Sequence, residues 1–105
     1  MTNPWRGEVA LTIDGQQRVL KLTLGALAEL EQELATGSLV ELVQRFEGGG
    51  FSSGDVLALI RAGLRGSGVD QAVDLMQADI AGGPLAAARA AAELLARAFM
   101  LPEGP

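Results

Sequence analysis

The sequence predicts an α+β fold that is mostly α: an N-terminal β-hairpin followed by four to five short helices packed in one small domain. Two apolar segments with period two flank an Asp-Gly pair, and after Leu22 the apolar period changes to near four. The length of 105 residues allows one core and no second domain. We expect a flexible arm over 1–6, the hairpin over 7–24, helices over 24–100 and a tail over 101–105.

The hairpin comes from two alternating segments, "EVALTI" and "RVLKL", on either side of "DGQQ". A two-residue turn at Asp14-Gly15 would place Leu11 opposite Arg18, which mixes polar and apolar side chains on one face. A four-residue loop from Asp14 to Gln17 pairs apolar residues instead, Leu11 with Leu20 and Val9 with Leu22. We therefore predict the four-residue loop.

The first helix follows the second strand without a break in "LTLGALAELEQEL". Thr23 is a suitable N-cap and Gly37 a suitable residue after the C-terminus. The predicted inner stripe is Leu27, Leu30 and Leu34. We also expect Leu22 and Leu24 to be buried against the core that this helix faces, so that the junction sets the angle between strand and helix.

Local capping signals place the next two helices. Ser38 with Glu41 three residues later forms a capping-box pattern, and "GGG" at 48–50 ends that helix. A third helix begins near Ser52 or Ser53, has Asp55 in its first turn and ends at 66–68. Gly63 in its interior costs about 1 kcal/mol relative to Ala, which predicts close packing at that point. The predicted apolar face of the second helix consists of Leu39, Leu42, Val43 and Phe46. That of the third helix consists of Val56, Leu57, Ile60 and Leu64.

The remaining chain predicts a weak helix over 70–79 and a final helix from Pro84 to about Met100. The final helix is too charged to span a membrane, because Arg89, Glu93 and Arg97 interrupt it at four-residue spacing. These three charges mark an exposed face. We expect no membrane association.

Composition excludes several classes of function. The formal net charge of −5 and the scattered Lys and Arg residues argue against nucleic-acid binding. Without cysteine there is no disulfide framework, and the N-terminus lacks the pattern of a secretory signal, so we expect a cytoplasmic protein. The hydrophobic content of 49% is high for a small domain, which suggests that some apolar surface meets a partner.

Catalytic chemistry is poorly supported. The chain has no His, Cys or Tyr, and its glycine segments lack the order of a phosphate-binding loop. Asp70, Asp74 and Asp79 do not have the spacing of a calcium loop. We predict no enzyme activity, no catalytic residue, no cofactor, no metal and no small-molecule substrate.

The candidate contact residues are Trp5, Glu29 and Glu33. Glu29 and Glu33 share one helical face, while Glu31 points away from both. They form either a solvated acidic face or a docking stripe for a basic partner segment. Trp5 either folds back over the core or anchors a partner, since tryptophan is enriched in interface hot spots.

The segments "LTLGALAELE" and "ALIRAGLRG", with an alanine-rich final helix ending "LLARAF", resemble a family of small proteins from gene transfer agents and related tailed phages of alphaproteobacteria. The resemblance covers about residues 5–100 and is loosest over 69–83. Members have been described both as tail tube proteins and as tail assembly chaperones. The resemblance carries no catalytic residue.

Two functions follow from that resemblance. A tail assembly chaperone keeps the long tape measure protein soluble while tube subunits polymerise around it. A tail tube or tail-completion subunit stays in the particle and requires a multi-stranded sheet around its lumen. Since the sequence predicts only two strands, we expect a chaperone that binds the tape measure protein or other tail proteins. The edges of the hairpin also allow a homo-oligomer.

Overall fold

The structure is a computed structural model that describes residues 7–34, 38–68 and 77–99. A two-stranded antiparallel hairpin precedes four helices, which confirms the predicted α+β class. The predicted arm over 1–6 and tail over 101–105 lie outside the described residues. The elements are β1 (Glu8–Ile13), β2 (Gln16–Lys21), α1 (Leu24–Glu33), α2 (Leu39–Gly48), α3 (Ser53–Gly66) and α4 (Gly83–Ala98).

The predicted hairpin register is wrong. The strands are joined by a two-residue turn at Asp14-Gly15, and Leu11 lies opposite Arg18 rather than Leu20. Val9 pairs with Leu20, and not with Leu22 as predicted. Asp14 has φ 51° and Gly15 has φ 78°. Two successive positive φ values belong to the type I′ turn, whose twist matches that of the strands.

Turn chemistry therefore outweighs the apolar pairing pattern in the hairpin. Asp14 accepts a hydrogen bond through Oδ1 from the Asp79 backbone N–H at 2.8 Å and donates its own N–H to the Asp79 carbonyl at 2.8 Å. The polar side chain opposite Leu11 is tolerated because Arg18 is only half-buried, and a long arginine stem can lie along apolar surface. The register still carries a free-energy penalty, because the Arg18 Nε is buried without a hydrogen-bond partner.

Residues 79–81 extend the open edge of β1. Ile80 forms an isolated antiparallel bridge with Ile13, and the Ala81 N–H donates to the Thr12 carbonyl at 3.1 Å. A helix was predicted over 70–79. Positions 70–76 lie outside the described residues, and 77–79 are not helical, because Asp79 is held against the hairpin turn.

Helix α1 begins at the predicted cap, where the Thr23 hydroxyl accepts from the Ala26 N–H at 3.1 Å. Leu22 is buried as predicted, but Leu24 is 84% exposed, so its predicted burial is wrong. Ala26 and Leu30 fill the buried face, and Leu24 lies about 200° around the helix from Ala26. The helix ends at Glu33, and the predicted C-terminal Gly37 lies outside the described residues.

The predicted N-caps of the next two helices are confirmed, but Glu41 does not complete the capping box predicted at Ser38. The Ser38 hydroxyl accepts from the Glu41 N–H, and Gly49 ends α2 in the left-handed conformation with φ 78°. Ser52 and Asp55 form a reciprocal capping box at the start of α3. Leu42 is buried, and the other predicted apolar residues of α2 pack against the core.

Helix α3 supplies the centre of the core and approaches the hairpin closely. The predicted close packing at Gly63 is confirmed, because a Cβ there would lie 3.0 Å from both Leu20 Cβ and Leu94 Cδ1. At Gly66 a Cβ would lie 1.9 Å from the Lys21 carbonyl oxygen. The buried residues of α3 are Val56, Leu59, Ile60, Ala62, Gly63 and Leu64, whereas Leu57 is half-buried.

Helix α4 packs through its alanine-rich side against α3 and the hairpin, with Ala91 and Leu94 fully buried. Pro84 lies in its first turn as predicted, while Met100 falls outside the described residues. Within the described part of the chain, none of the helices has the length and apolarity that crossing a membrane would need.

Candidate partner-binding surfaces

The predicted contact residues are only partly described by the structure. Trp5 lies outside the described residues. Glu29 and Glu33 share one face of α1 as predicted, and that face meets α3. Arg65 on α3 contacts both: its Nη1 lies 3.1 Å from Glu29 Oε2, and its Nη2 donates to Glu33 Oε1.

The charge of this acidic pair is therefore partly compensated within the chain. The hydrogen bond to Glu33 is the largest of the effects that raise the pKa of Arg65 above its ordinary value. Arg61 adds a looser contact, with its Nη1 3.8 Å from Glu33 Oε2. The repulsion expected between two carboxylates one turn apart is offset by the guanidinium between them. The side chains remain 54% and 31% exposed, so a partner can still reach them.

A second ion pair joins α2 to α3. Arg45 donates from Nε to Asp55 Oδ2 at 3.0 Å and from Nη2 to Asp55 Oδ1 at 3.1 Å. Burial raises the pKa of Asp55, but the hydrogen bonds from Arg45 and from the Ser52 N–H outweigh burial and hold this pKa below its ordinary value. The sequence placed Asp55 in the first turn of the third helix, whereas nothing in the local pattern pointed to its capping bond or to Arg45.

An apolar groove runs between α2 and α4. It has a volume of about 250 Å³, and Glu47 is the charged residue of its lining. Phe46 in the groove stacks on Phe51, with ring centroids 4.5 Å apart and planes inclined by 6°. The lining residues are Val43, Phe46, Glu47, Ala92, Leu95, Ala96 and Phe99.

The outer face of α4 continues this apolar surface. Leu85 is 68% exposed and Phe99 is 47% exposed, and Ala92 and Ala96 between them are exposed as well. We name Leu85, Ala92, Ala96 and Phe99 the α4 stripe. The charges of α4 were predicted from the sequence and this neighbouring apolar stripe was not, although its seven-, four- and three-residue spacing could have indicated it.

The described residues contain no group of three or more His, Cys, Asp or Glu side chains placed to hold a metal ion. The surface of the described residues instead carries ion pairs between helices and exposed apolar side chains. Such features fit contacts with proteins.

The model of one protein family matches residues 6–101, nearly the whole chain, and that family is described as phage tail tube protein, GTA-gp10. The chain belongs to this family. The resemblance to gene transfer agent and phage tail proteins is thereby confirmed. No curated protein and no solved structure matches the chain.

Within the GTA-gp10 family, this chain combines a short hairpin with four described helices. Membership places it among phage-type tail proteins, which act by binding other tail proteins or copies of themselves. The α4 stripe, the groove and the α1 carboxylates are the surfaces on which such binding can be tested.

Proposed function

We propose that this protein is a non-enzymatic tail assembly chaperone that binds the tape measure protein in the cytoplasm of the producing cell. The single observation that carries the proposal is the small size of the sheet. Among the described residues it comprises β1, β2 and the bridge at Ile80. A tube wall needs a multi-stranded sheet around its lumen, and helices make up most of the described chain.

The exposed apolar side chains support a role in holding another chain soluble. Leu24 on α1 is 84% exposed and Val40 on α2 is 62% exposed. A tape measure segment with an amphipathic helix would cover such residues.

We propose α1 as the contact, with Leu24 and Ala28 as its exposed apolar side and Glu29 and Glu33 about 100° to 180° further around the helix, where α1 meets α3. A segment that covers Leu24 and Ala28 with apolar residues and reaches around the helix with Lys or Arg would match both features. Its cations would join the acidic pair that Arg65 already contacts. Trp5 remains a proposed anchor.

Co-expression with the tape measure protein from the same tail gene cluster tests the proposal. We expect a soluble complex on size-exclusion chromatography with light scattering, and an insoluble tape measure protein when it is expressed alone. Leu24→Ser should weaken the complex, whereas Val19→Ser in the hairpin serves as a control for loss of an apolar side chain elsewhere. A tape measure protein that stays insoluble in the presence of this chain would remove the basis of the proposal.

The alternative is a structural tail tube or tail-completion subunit. The description of the family favours it, since the family is described as phage tail tube protein. The outer edge of β2 pairs with no strand among the described residues, so neighbouring copies could extend the sheet there. Mass spectrometry of purified particles separates the two functions, because a tube subunit is present in many copies and a chaperone is absent.

A further inference from the structure

The α4 stripe is symmetric about Ala92. Leu85 precedes Ala92 by seven residues and Phe99 follows it by seven, while Ala88 and Ala96 lie four residues away on either side. The four residues of the stripe and the half-buried Ala88 fall within about 80° of one another around the helix, because each turn takes about 3.6 residues. The stripe extends about 21 Å along the axis at about 1.5 Å per residue. Large side chains thus stand at both ends of the stripe and small ones at its centre.

This arrangement fits a second copy of the same helix running in the opposite direction. With a two-fold axis beside Ala92, Leu85 of one copy meets Phe99 of the partner subunit, and Ala88 meets Ala96 of the partner subunit. A two-fold interface requires a surface that complements itself in this way. Small central residues let two helix backbones approach closely.

We propose that a second copy of this chain docks on the α4 stripe, with the two α4 helices antiparallel and Ala92 on the two-fold axis. The proposal is independent of the chaperone function, because it uses α4 and not α1. A dimer built in this way covers the most exposed apolar residues of α4 and the Phe99 end of the groove.

The charges beside the stripe favour a second copy of this chain, and not an unrelated protein, as the molecule that binds the stripe. Arg89 and Glu93 lie on the same side of α4, next to the stripe. Arg89 is exposed and forms no ion pair with any described residue, whereas Glu93 contacts Arg97 at 3.7 Å and is 45% exposed. An antiparallel copy places Arg89 within one helical turn of Glu93 of the partner subunit. The two-fold axis repeats this attraction, so the contact gains two ion pairs.

The contact is small, since it is built from one 16-residue helix of each copy. We therefore expect a concentration-dependent equilibrium between monomer and dimer, and not a permanent dimer. Analytical ultracentrifugation from micromolar to hundreds of micromolar protein should show a rise toward twice the 10.9 kDa chain mass.

Ala92→Glu tests the axis directly, because it places two carboxylates against each other in the dimer. We expect association to weaken at least tenfold, with unchanged helical content by circular dichroism. Ala28→Glu is the matched control, since Ala28 is an exposed alanine on α1. The Ala28→Glu variant should associate as strongly as the unaltered chain. Association that survives Ala92→Glu would overturn the proposal and direct attention to the edge of β2.

Charge reversal tests the register. Arg89→Glu should weaken association, and adding Glu93→Arg should restore it, because the double variant exchanges the two partners across the axis. If the double variant did not recover the association of the unaltered chain, the antiparallel register would be wrong.

The absence of cysteine from the chain allows a third test. Ala92→Cys places a thiol on the axis, so mild oxidation should link two copies, whereas Ala28→Cys should stay largely monomeric. A chain that sediments as a monomer at every concentration and does not crosslink through Cys at position 92 would refute the dimer.

Discussion

Arg45 and Asp55 hold α2 against the start of α3 through two parallel hydrogen bonds of 3.0 and 3.1 Å. Asp55 also closes the capping box, because its carboxylate accepts the Ser52 N–H at 2.9 Å. One carboxylate thus completes a helix terminus and joins two helices. The Asp55 side chain is 12% exposed and that of Arg45 is 31% exposed, so solvent screens the pair only in part.

Asp55→Asn should lower the free energy of unfolding by about 1 to 2 kcal/mol at neutral pH, since it removes the charge from the cap and from the pair. The pKa of Asp55 in the folded state lies below its ordinary value. The stabilisation is therefore complete above about pH 4 and is lost as the pH falls through the folded-state pKa. Urea unfolding at neutral pH and at about pH 3 should show a smaller difference in acid.

Glu47→Gln is the control for this prediction. Glu47 is an exposed carboxylate on α2 with no ion pair among the described residues. Its removal should change stability little at either pH. An Asp55→Asn effect that is the same at both pH values would show that the carboxylate charge does not stabilise this helix pair.

Gly66→Ala should destabilise the fold strongly. A Cβ at Gly66 would lie 1.9 Å from the Lys21 carbonyl oxygen, and backbone atoms cannot move aside as a flexible side chain can. We expect a loss of at least about 2 kcal/mol, measured by chemical unfolding.

Gly54→Ala is the matched substitution in the same helix. The nearest atom to its Cβ would be Ser52 Oγ at 3.6 Å, an ordinary contact. Because alanine has the higher helix propensity, we expect a gain of about 0.5 kcal/mol. Equal effects at positions 66 and 54 would contradict the close approach of α3 to the end of β2.

Local signals predicted much of this fold. The caps at Thr23, Ser38 and Ser52 are confirmed because the hydrogen bonds that define them link residues three apart. The burial of Leu24 was mispredicted for a different reason. It adjoins the buried Leu22 in sequence, but the change from strand to helix rotates it to the solvent side.

The candidate surfaces depended on contacts that periodicity does not encode. Glu33 and Arg65 are 32 residues apart in sequence, and their meeting follows from the packing of α1 on α3. The hairpin register was mispredicted because the geometry of the two-residue turn outweighs the apolar pairing pattern. Contacts from Asp79, which no local pattern shows, also hold that turn.

Arg65→Gln should cost about 0.5 to 1 kcal/mol at low salt, since Arg65 contacts both Glu29 and Glu33. These side chains are partly exposed, so about 1 M salt should remove most of the difference. Arg61→Gln is the control, because its longer contact with Glu33, at 3.8 Å, should contribute less. A loss that is insensitive to salt would indicate that Arg65 acts through packing of its stem.

Asp14→Ala tests the turn that sets the hairpin register. Asp14 has φ 51°, a conformation that costs most L-residues about 1 to 2 kcal/mol. Alanine also loses the hydrogen bond from the Asp79 N–H, so we expect a loss of about 2 kcal/mol in unfolding free energy. Asp14→Asn should stay within about 0.5 kcal/mol of the unaltered chain, because asparagine tolerates positive φ and keeps the acceptor oxygen.

Asp79→Ala distinguishes the contribution of the turn residue Asp14 to stability from that of the Asp79 side chain. Both hydrogen bonds between the two residues use backbone atoms of Asp79, so removal of its side chain should cost much less than Asp14→Ala. Hydrogen exchange at the Asp14 and Ala81 amides would locate the effect, with faster exchange expected in Asp14→Ala. If Asp14→Ala instead left stability and exchange unchanged, then apolar pairing along the strands would be sufficient to maintain the register, and turn chemistry would not be its cause.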